Sequence, residues 1–276
     1  MFHPFRFLWR LIKFFLYAVI ALVLFVALFF ISLPNISYLR DHNPKTTAFM
    51  KRYINSVEAK GEDGVIDIRW IPYSRISSNL KKAVLISEDD AFFSHRGFDL
   101  KQIRESIKRN WRDKKFTRGG STITQQLVKN LYLAPAKNPL RKIREWIITW
   151  QMEKTLTKQR IFELYLNVVE WGPGVYGAES AARYYFGKGC GSLGPSEAAF
   201  LAAILPNPVR YGAKRNSKRV AWKTNWILRR MHIPPPTEEQ EIPPEAPVPV
   251  YEEPPPMENI PNGDLPDGED VPLYDY

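Results

Sequence analysis

A mainly α-helical domain carried on an N-terminal membrane helix is the fold this sequence predicts, on three observations. Phe14–Leu33 runs twenty positions without a charge, enough to span a hydrocarbon core of ~30 Å at ~1.5 Å per residue. From residue 100 to residue 232, apolar side chains recur at three- and four-residue spacing between cap and breaker signals. Only Gly64–Leu80 reads otherwise: Val65, Ile66, Ile68 and Trp70 alternate with polar residues and the pattern breaks at Pro72, which predicts one extended segment running into a turn.

Taken in order, residues 1–13 form a basic leader to the apolar run, with Arg6, Arg10 and Lys13 ahead of it. The positive-inside tendency then keeps the N-terminus cytoplasmic and sends the rest of the chain outside. A cleaved signal peptide fits less well, because its apolar core is usually ~7–15 residues and no A-x-A-like site follows Ile31. Residues 14–33 are thus the anchor, 34–63 a polar juxtamembrane stalk, and 64–232 the folded domain. Asn79 is a candidate cap for a helix from Leu80.

Leu100–Lys115 reads as an amphipathic helix with Ile103 and Ile107 inward. The stretch Arg141–Gly172 is the longest helical one. Its first half predicts an inward stripe of Ile143, Ile147 and Trp150, a break falls near Thr155–Lys158, and a second helix turns Ile161, Leu164, Tyr165 and Val168 inward. Gly172–Gly177 is a loop, Ser192–Pro208 holds a small-residue helix stopping at Pro206, and a basic helix covers about Ser217–His232. Residues 233–276 are Pro-rich and acidic with little aliphatic content, the composition of a disordered tail and a candidate spacer or docking segment.

The net charge of +10 conceals an asymmetry: all 39 Lys and Arg precede residue 233, whereas twelve of the 29 acidic residues follow it. A domain that cationic beside a bilayer is drawn to anionic headgroups or a phosphorylated substrate. Nucleic acid is the rival ligand, but a domain exported across a membrane rarely meets it. Cys190 is the single cysteine, so no intrachain disulfide is possible. The four histidines are too scattered to predict a metal centre.

Two stretches concentrate the chemistry. In AVLISEDDAFFSHRG (Ala83–Gly97) a short apolar run delivers Glu88 beside Asp89 and Asp90, ahead of Phe92, Phe93 and His95. An acid held between a buried run and aromatic rings is a candidate general base, the plain alternative being an exposed acidic turn. His95 reads as a structural hydrogen-bonding residue near the turn at Gly97. In RGGSTITQQLVKN (Arg118–Asn130), Ser121, Gln125 and Lys129 recur at four-residue spacing, which sets a hydroxyl, an amide and an ammonium along one helix face.

A second acid, Glu145, stands four residues after Arg141, the spacing of an ordinary surface ion pair. The functional reading is a cationic patch of Lys129, Lys137, Arg141, Lys142 and Arg144 that receives phosphate oxygens. An acid able to deprotonate a hydroxyl and cations able to take up a diphosphate together suggest displacement of a diphosphate leaving group by an alcohol.

These residues carry a resemblance. EDDAFFSHRG, GGSTITQQLVKN, RKIRE (Arg141–Glu145), KQRIFELYLN (Lys158–Asn167) and NVVEWGPGVYGAESAARYYFGK (Asn167–Lys188) resemble the peptidoglycan glycosyltransferases of glycosyltransferase family 51, and within it the monofunctional biosynthetic peptidoglycan transglycosylases. Similarity covers about Trp70–Tyr211. The resemblance implies a mainly helical, lysozyme-like fold that polymerises lipid II and releases undecaprenyl diphosphate at the bacterial inner membrane. Glu88 matches the family's general base, and Glu145 its second acid. Arg104, Ser121, Gln125, Lys129, Lys137, Arg141 and Arg144 match positions that contact donor sugar and diphosphate.

The resemblance implies no required cofactor, although Mg or Mn would bridge the substrate diphosphate. Implied partners are lipid II, the nascent glycan chain, membrane lipids and other cell-wall synthesis proteins such as transpeptidases. A lysozyme-like hydrolase or lytic transglycosylase is the rival enzyme reading, and it leaves the cationic patch without a purpose. A membrane-tethered scaffold without catalysis is the rival from another class.

Overall fold

The computed structural model describes residues 4–61, 63–64, 66–113, 120–133 and 139–232. Lys137 and the acidic segment 233–276 lie outside the described residues. Helix α1 (Pro4–Ile31) is exposed from Leu8 onward except at the half-buried Phe29, and is long and apolar enough to cross a membrane. At its end the Arg144 guanidinium donates to the Ser32 carbonyl and, at 3.2 Å, to the Ser32 hydroxyl.

Within 34–63, a polar stalk by composition, the stretch 36–58 is folded onto the domain instead. A 3-10 turn at Ile36–Arg40 buries Ile36 and Leu39, and α2 (Ala48–Glu58) starts at Thr47, whose hydroxyl accepts the Met50 N–H. Arg160 clamps the segment by donating to the carbonyls of Leu39 and His42 and to Asn43 Oδ1. Only Ile36, Leu39 and Met50 are buried apolar residues here, too few to generate a legible period.

The extended segment is short. Strand β1 (Asp67–Ile68) lies parallel to β3 (Val175–Tyr176), which pairs antiparallel with β2 (Glu170–Gly172). Asn167 secures its approach, its amide donating to the Ile71 carbonyl and its Oδ1 accepting the Ile71 N–H, both at 2.9 Å. Gly177 follows β3 with φ +85°, and a Cβ there would stand 2.7 Å from the Asn167 carbonyl oxygen, so only glycine fits.

Helix α3 (Ser78–Glu88) is capped by Ser77, whose hydroxyl accepts the Asn79 N–H; the Asn79 amide turns away to the Leu193 carbonyl at 3.1 Å. The cap is therefore Ser77 rather than Asn79. Helix α4 (Leu100–Asp113) precedes the central helix α5 (Ile123–Tyr132), against which α2, α6 (Pro139–Thr155) and α7 (Lys158–Val168) pack. The break between α6 and α7 falls where Thr157 caps α7 by accepting the Arg160 N–H.

Helix α7 turns Ile161, Leu164, Tyr165 and Val168 inward as its period predicts. Helix α6 does not follow its own. Ile143 and Trp150, assigned inward, are about half exposed together with Trp146 and Leu140, and the buried face is Glu145, Ile148, Thr149 and Met152. A hydrophobic period reports which face is apolar, not what covers it. Beyond α8 (Ala178–Phe186), the apolar helix α9 (Pro195–Ile204) packs between α3 and α11 (Lys218–Arg230), and α10 (Pro208–Ala213) links them.

Candidate active site

Glu88 is the last residue of α3, and the chain breaks immediately after it because Asp89 leaves helical geometry at φ −166° and ψ 80°. Asp89 is the hinge pin of the loop that follows. Its carboxylate is buried and accepts the N–H of Ile123, the first residue of α5, where unpaired backbone donors and the positive end of the helix favour an anion.

The same carboxylate accepts from His95 Nε2 at 3.0 Å, while His95 Nδ1 accepts the Gly97 N–H at 3.1 Å, which puts the ring proton on Nε2. His95 is thus a structural brace. Gly97 (φ +86°) sits so close to α6 that a Cβ would meet Thr149 and Glu153 at 2.9 Å, and its carbonyl accepts from the Thr122 hydroxyl. The aromatic residues lie on the Asp89 side of this loop: Phe92 is buried against Phe162, with Lys158 Nζ 4.2 Å from its ring centroid.

Beside Asp89, Glu88 is held in the wall of a cleft that Asp90, Asp99 and Glu105 also line. The cleft has a volume of about 630 Å3 and is formed by the end of α3, one face of α4, Ser121, and α11. The Glu88 side chain is only 9% exposed. One oxygen accepts from the Ser87 hydroxyl at 2.8 Å and lies 3.6 Å from Lys223 Nζ; the other accepts from the Gln126 amide at 3.2 Å. Gln126 is itself oriented, because Tyr165 donates its hydroxyl proton to the amide oxygen at 2.9 Å and so turns the nitrogen toward Glu88.

The sequence-derived residues distribute as follows. Ser121 shares the cleft with Glu88. Gln125 is buried and closes a capping box: its side-chain oxygen accepts the Thr122 N–H at 3.0 Å, and the Thr122 hydroxyl accepts the Gln125 N–H. The amide that reaches Glu88 belongs to its neighbour, Gln126, which four-residue spacing from Ser121 passes over. Lys129, also buried, is one turn beyond Gln126 on α5. Arg104 is exposed on α4, beside the cleft-lining Lys101, Gln102 and Glu105.

Glu145, Arg141 and Arg144 lie on α6. Thr124 near the start of α5 donates to Glu153 near the end of α6, one of the contacts by which the two helices pack. Glu145 is 1% exposed; Lys142 Nζ holds one oxygen at 2.6 Å, and the other has no hydrogen-bond partner among the described residues. Glu145 thus pairs with Lys142 at i,i+3. Arg144 reaches the end of α1. Among the described residues no cluster of His, Cys, Asp or Glu could hold a metal ion.

Lys223, Trp222 and Gln126 are cleft residues that sequence reasoning missed. Lys223 is 135 positions from Glu88 in sequence, and nothing in a basic amphipathic helix singles it out.

The site is a braced carboxylate in an open cleft of a mainly helical domain, which follows one helix long and apolar enough to cross a membrane. The chain belongs to the transglycosylase family, whose profile matches residues 49–232, so that α2 lies within the family domain. It is 47% identical over 199 residues to the biosynthetic peptidoglycan transglycosylase of Chromobacterium violaceum, covering 72% of this chain and 87% of that protein. The protein of the same description from Neisseria gonorrhoeae is 48% identical over 197 residues (71% and 84%). The one from Thiobacillus denitrificans is 44% identical over 226 residues (82% and 97%).

Proposed function

We propose that this peptidoglycan glycosyltransferase polymerises lipid II. Glu88 takes the proton from the 4-hydroxyl of the acceptor GlcNAc, the freed oxygen attacks the anomeric carbon of the donor MurNAc with inversion to a β-1,4 link, and undecaprenyl diphosphate departs. The observation that carries this reading is the fixing of Glu88 at the cleft wall, with Gln126 on one carboxylate oxygen and Ser87 and Lys223 on the other. A base held in one orientation spends no freedom on finding its proton.

Lys129, Arg141 and Arg144, with Lys137, Arg104 and Ser121, take the negative charge that builds on the diphosphate. Glu145 keeps Lys142 in that bank, and Gln125 holds the helix start from which Ser121 projects. Mg or Mn, if it takes part, would be held by the substrate diphosphate and would neutralise its charge, with no cofactor held by the protein required. The lipid tail of the substrate calls for a membrane-side cleft. The half-exposed stripe of Leu140, Ile143, Trp146 and Trp150 on α6, next to the Arg144 contact with the end of α1, supports that placement. The domain then works outside the bacterial inner membrane with its N-terminus cytoplasmic, beside transpeptidases that cross-link its product.

Incubation with lipid II and, separately, with finished glycan tests the reading. Lengthening of the first and no change in the second is expected. Shortening of finished glycan without polymerisation of lipid II would identify a lytic enzyme instead.

A further inference from the structure

Lysines and arginines gather at one end of the folded domain. Residues 208–232, α10 and α11 with the turns beside them, hold eight Lys or Arg and no Asp or Glu, and Arg210, Lys214, Lys218, Arg219 and Arg229 among them are exposed. Between α9, α10 and α11 this surface sinks into a hollow of about 580 Å3. Its walls include the 60% exposed Trp222, the Tyr211 ring with the Arg219 guanidinium 5.4 Å from its centroid, Pro206, Val220 and Lys223. Among the described residues no Asp or Glu lines this hollow.

The chain that follows α11 has the opposite character. Residues 233–276 carry twelve acids and no Lys or Arg. Glu238–Glu245, outside the described residues, reads EEQEIPPE and sets four carboxylates around the apolar Ile242, Pro243 and Pro244. Its reach also fits. From the end of α11 back to Arg219 is about 20 Å at ~1.5 Å per residue. An extended Pro-rich chain covers that in roughly six residues at ~3.1 Å each, so the first acids arrive where the hollow begins.

Aromatic-lined grooves take Pro-rich segments, which lose little freedom on docking because proline already restricts the backbone. Cations at the rim take carboxylates. A tethered ligand arrives at an effective concentration of about millimolar, so a weak contact suffices. A second copy of the domain is the poorer occupant, because it would bring the same cationic face. We propose that Glu238–Glu245 docks into this hollow of its own chain: Ile242, Pro243 and Pro244 lie against Tyr211 and Trp222, and the flanking glutamates meet Lys218, Arg219 and Lys223. The hollow and the Glu88 cleft share Pro206, Trp222 and Lys223, so the docked segment stands across one end of the cleft and competes with substrate. The docking needs nothing from the polymerase reading; only the competition rests on it.

The test uses the full chain in detergent micelles, treated with a water-soluble carbodiimide, which condenses a carboxylate and an ammonium in contact into an amide. The joined peptides are mapped by mass spectrometry. Unlabelled and isotope-labelled protein are mixed beforehand, so that a link within one chain carries a single label and links between chains reveal themselves by carrying both. Single-label links from Lys218 or Lys223 to Glu238–Glu245 are expected. Ile242→Ser, Pro243→Ser and Pro244→Ser made together keep every carboxylate and are expected to cut those links at least fivefold. Trp222→Ser, at an exposed position of the hollow, is expected to cut them severalfold. On lipid II the triple variant is expected to lower KM severalfold with kcat unchanged.

Three results overturn the docking. Absence of these links leaves the hollow to another ligand, links between chains alone make a second copy the occupant, and links undiminished in the triple variant reduce the contact to charge attraction. Links as expected with an unmoved KM overturn the competition and keep the docking. Failure of the unsubstituted protein to extend lipid II at all removes the polymerase reading instead, and the links still decide the docking.

Discussion

Helices α5 and α9 are both ten residues long and almost wholly enclosed, yet they are built from opposite materials. Helix α9 buries Ala198, Ala199, Phe200, Leu201, Ala202, Ala203 and Ile204, and needs only shape to sit between α3 and α11. Helix α5 buries Thr124, Gln125, Gln126, Lys129 and Asn130 as well as its apolar residues. Burial of polar groups costs stability unless each finds a partner. The partners are specific: Thr124 donates to Glu153, Gln126 bridges Tyr165 and Glu88, the Asn130 amide donates to the Gln126 carbonyl, and Gln125 closes the cap. One helix is a spacer for the core; the other is the frame on which the acid is aimed.

The sharpest way to break that contrast is at the acid itself. Glu88→Gln keeps the shape and the Gln126 contact but cannot accept a proton, so polymerisation of lipid II is expected to fall by about 10²–10⁴-fold, the usual worth of general-base catalysis, with the thermal melt unchanged. Retained polymerisation would remove Glu88 from the role. On the α9 side, Phe200→Ala empties a site lined by Tyr185 and Phe186, and is expected to cost about 3–5 kcal/mol in stability. The rate per folded molecule should hold, and denaturant titration beside an activity assay separates the two quantities.

A third test concerns a buried acid that serves neither helix. Burial pushes the Glu170 carboxyl up to about 7, with Arg52 opposing the shift. Its folded-state value lies above the unfolded 4.5, so folding favours the protonated form. The contribution is therefore full below about pH 4.5 and is lost as pH rises to about 7, by at most about 3 kcal/mol. Stability curves of Glu170→Gln across that window should lack this fall; an unchanged slope would assign it to other groups.

The smallest expected effect sharpens the frame. Gln126→Ala removes one hydrogen bond to a charged group, worth about 1.5–3 kcal/mol, so kcat/KM on lipid II should drop by roughly ten- to a hundredfold. A drop no larger than that of an exposed α4 substitution would mean that Glu88 is aimed by something else.

Much of this was legible in the chain. The long apolar N-terminal helix, the α6–α7 break at Thr157, the inward face of α7 and the ends of α11 all follow from local signals: an uncharged run, a capping threonine, a clean period, a serine before a basic helix. Glu88 is singled out by its approach along an apolar run. The face of α6 was not legible, because Ile143 and Trp150 look the same to a periodicity whether protein or lipid lies against them. Nor was the folding of residues 36–58 onto the domain, since an arginine clamp from a helix more than a hundred residues away leaves no local trace.

By itself, then, the sequence determined the helices and a segment long and apolar enough to cross a membrane, and singled out Glu88 as the candidate acid, because caps, breakers and hydrophobic runs act over a few residues. Only the tertiary structure decided how three consecutive acids are held. Asp89 is buried against His95 and the start of α5, Asp90 pairs with Arg230 at the exposed side of the cleft, and Glu88 is fixed in the cleft wall by Gln126 and Lys223. Those partners come from segments 38 and 135 positions away, and only packing brings such distances down to the 3 Å at which a hydrogen bond acts.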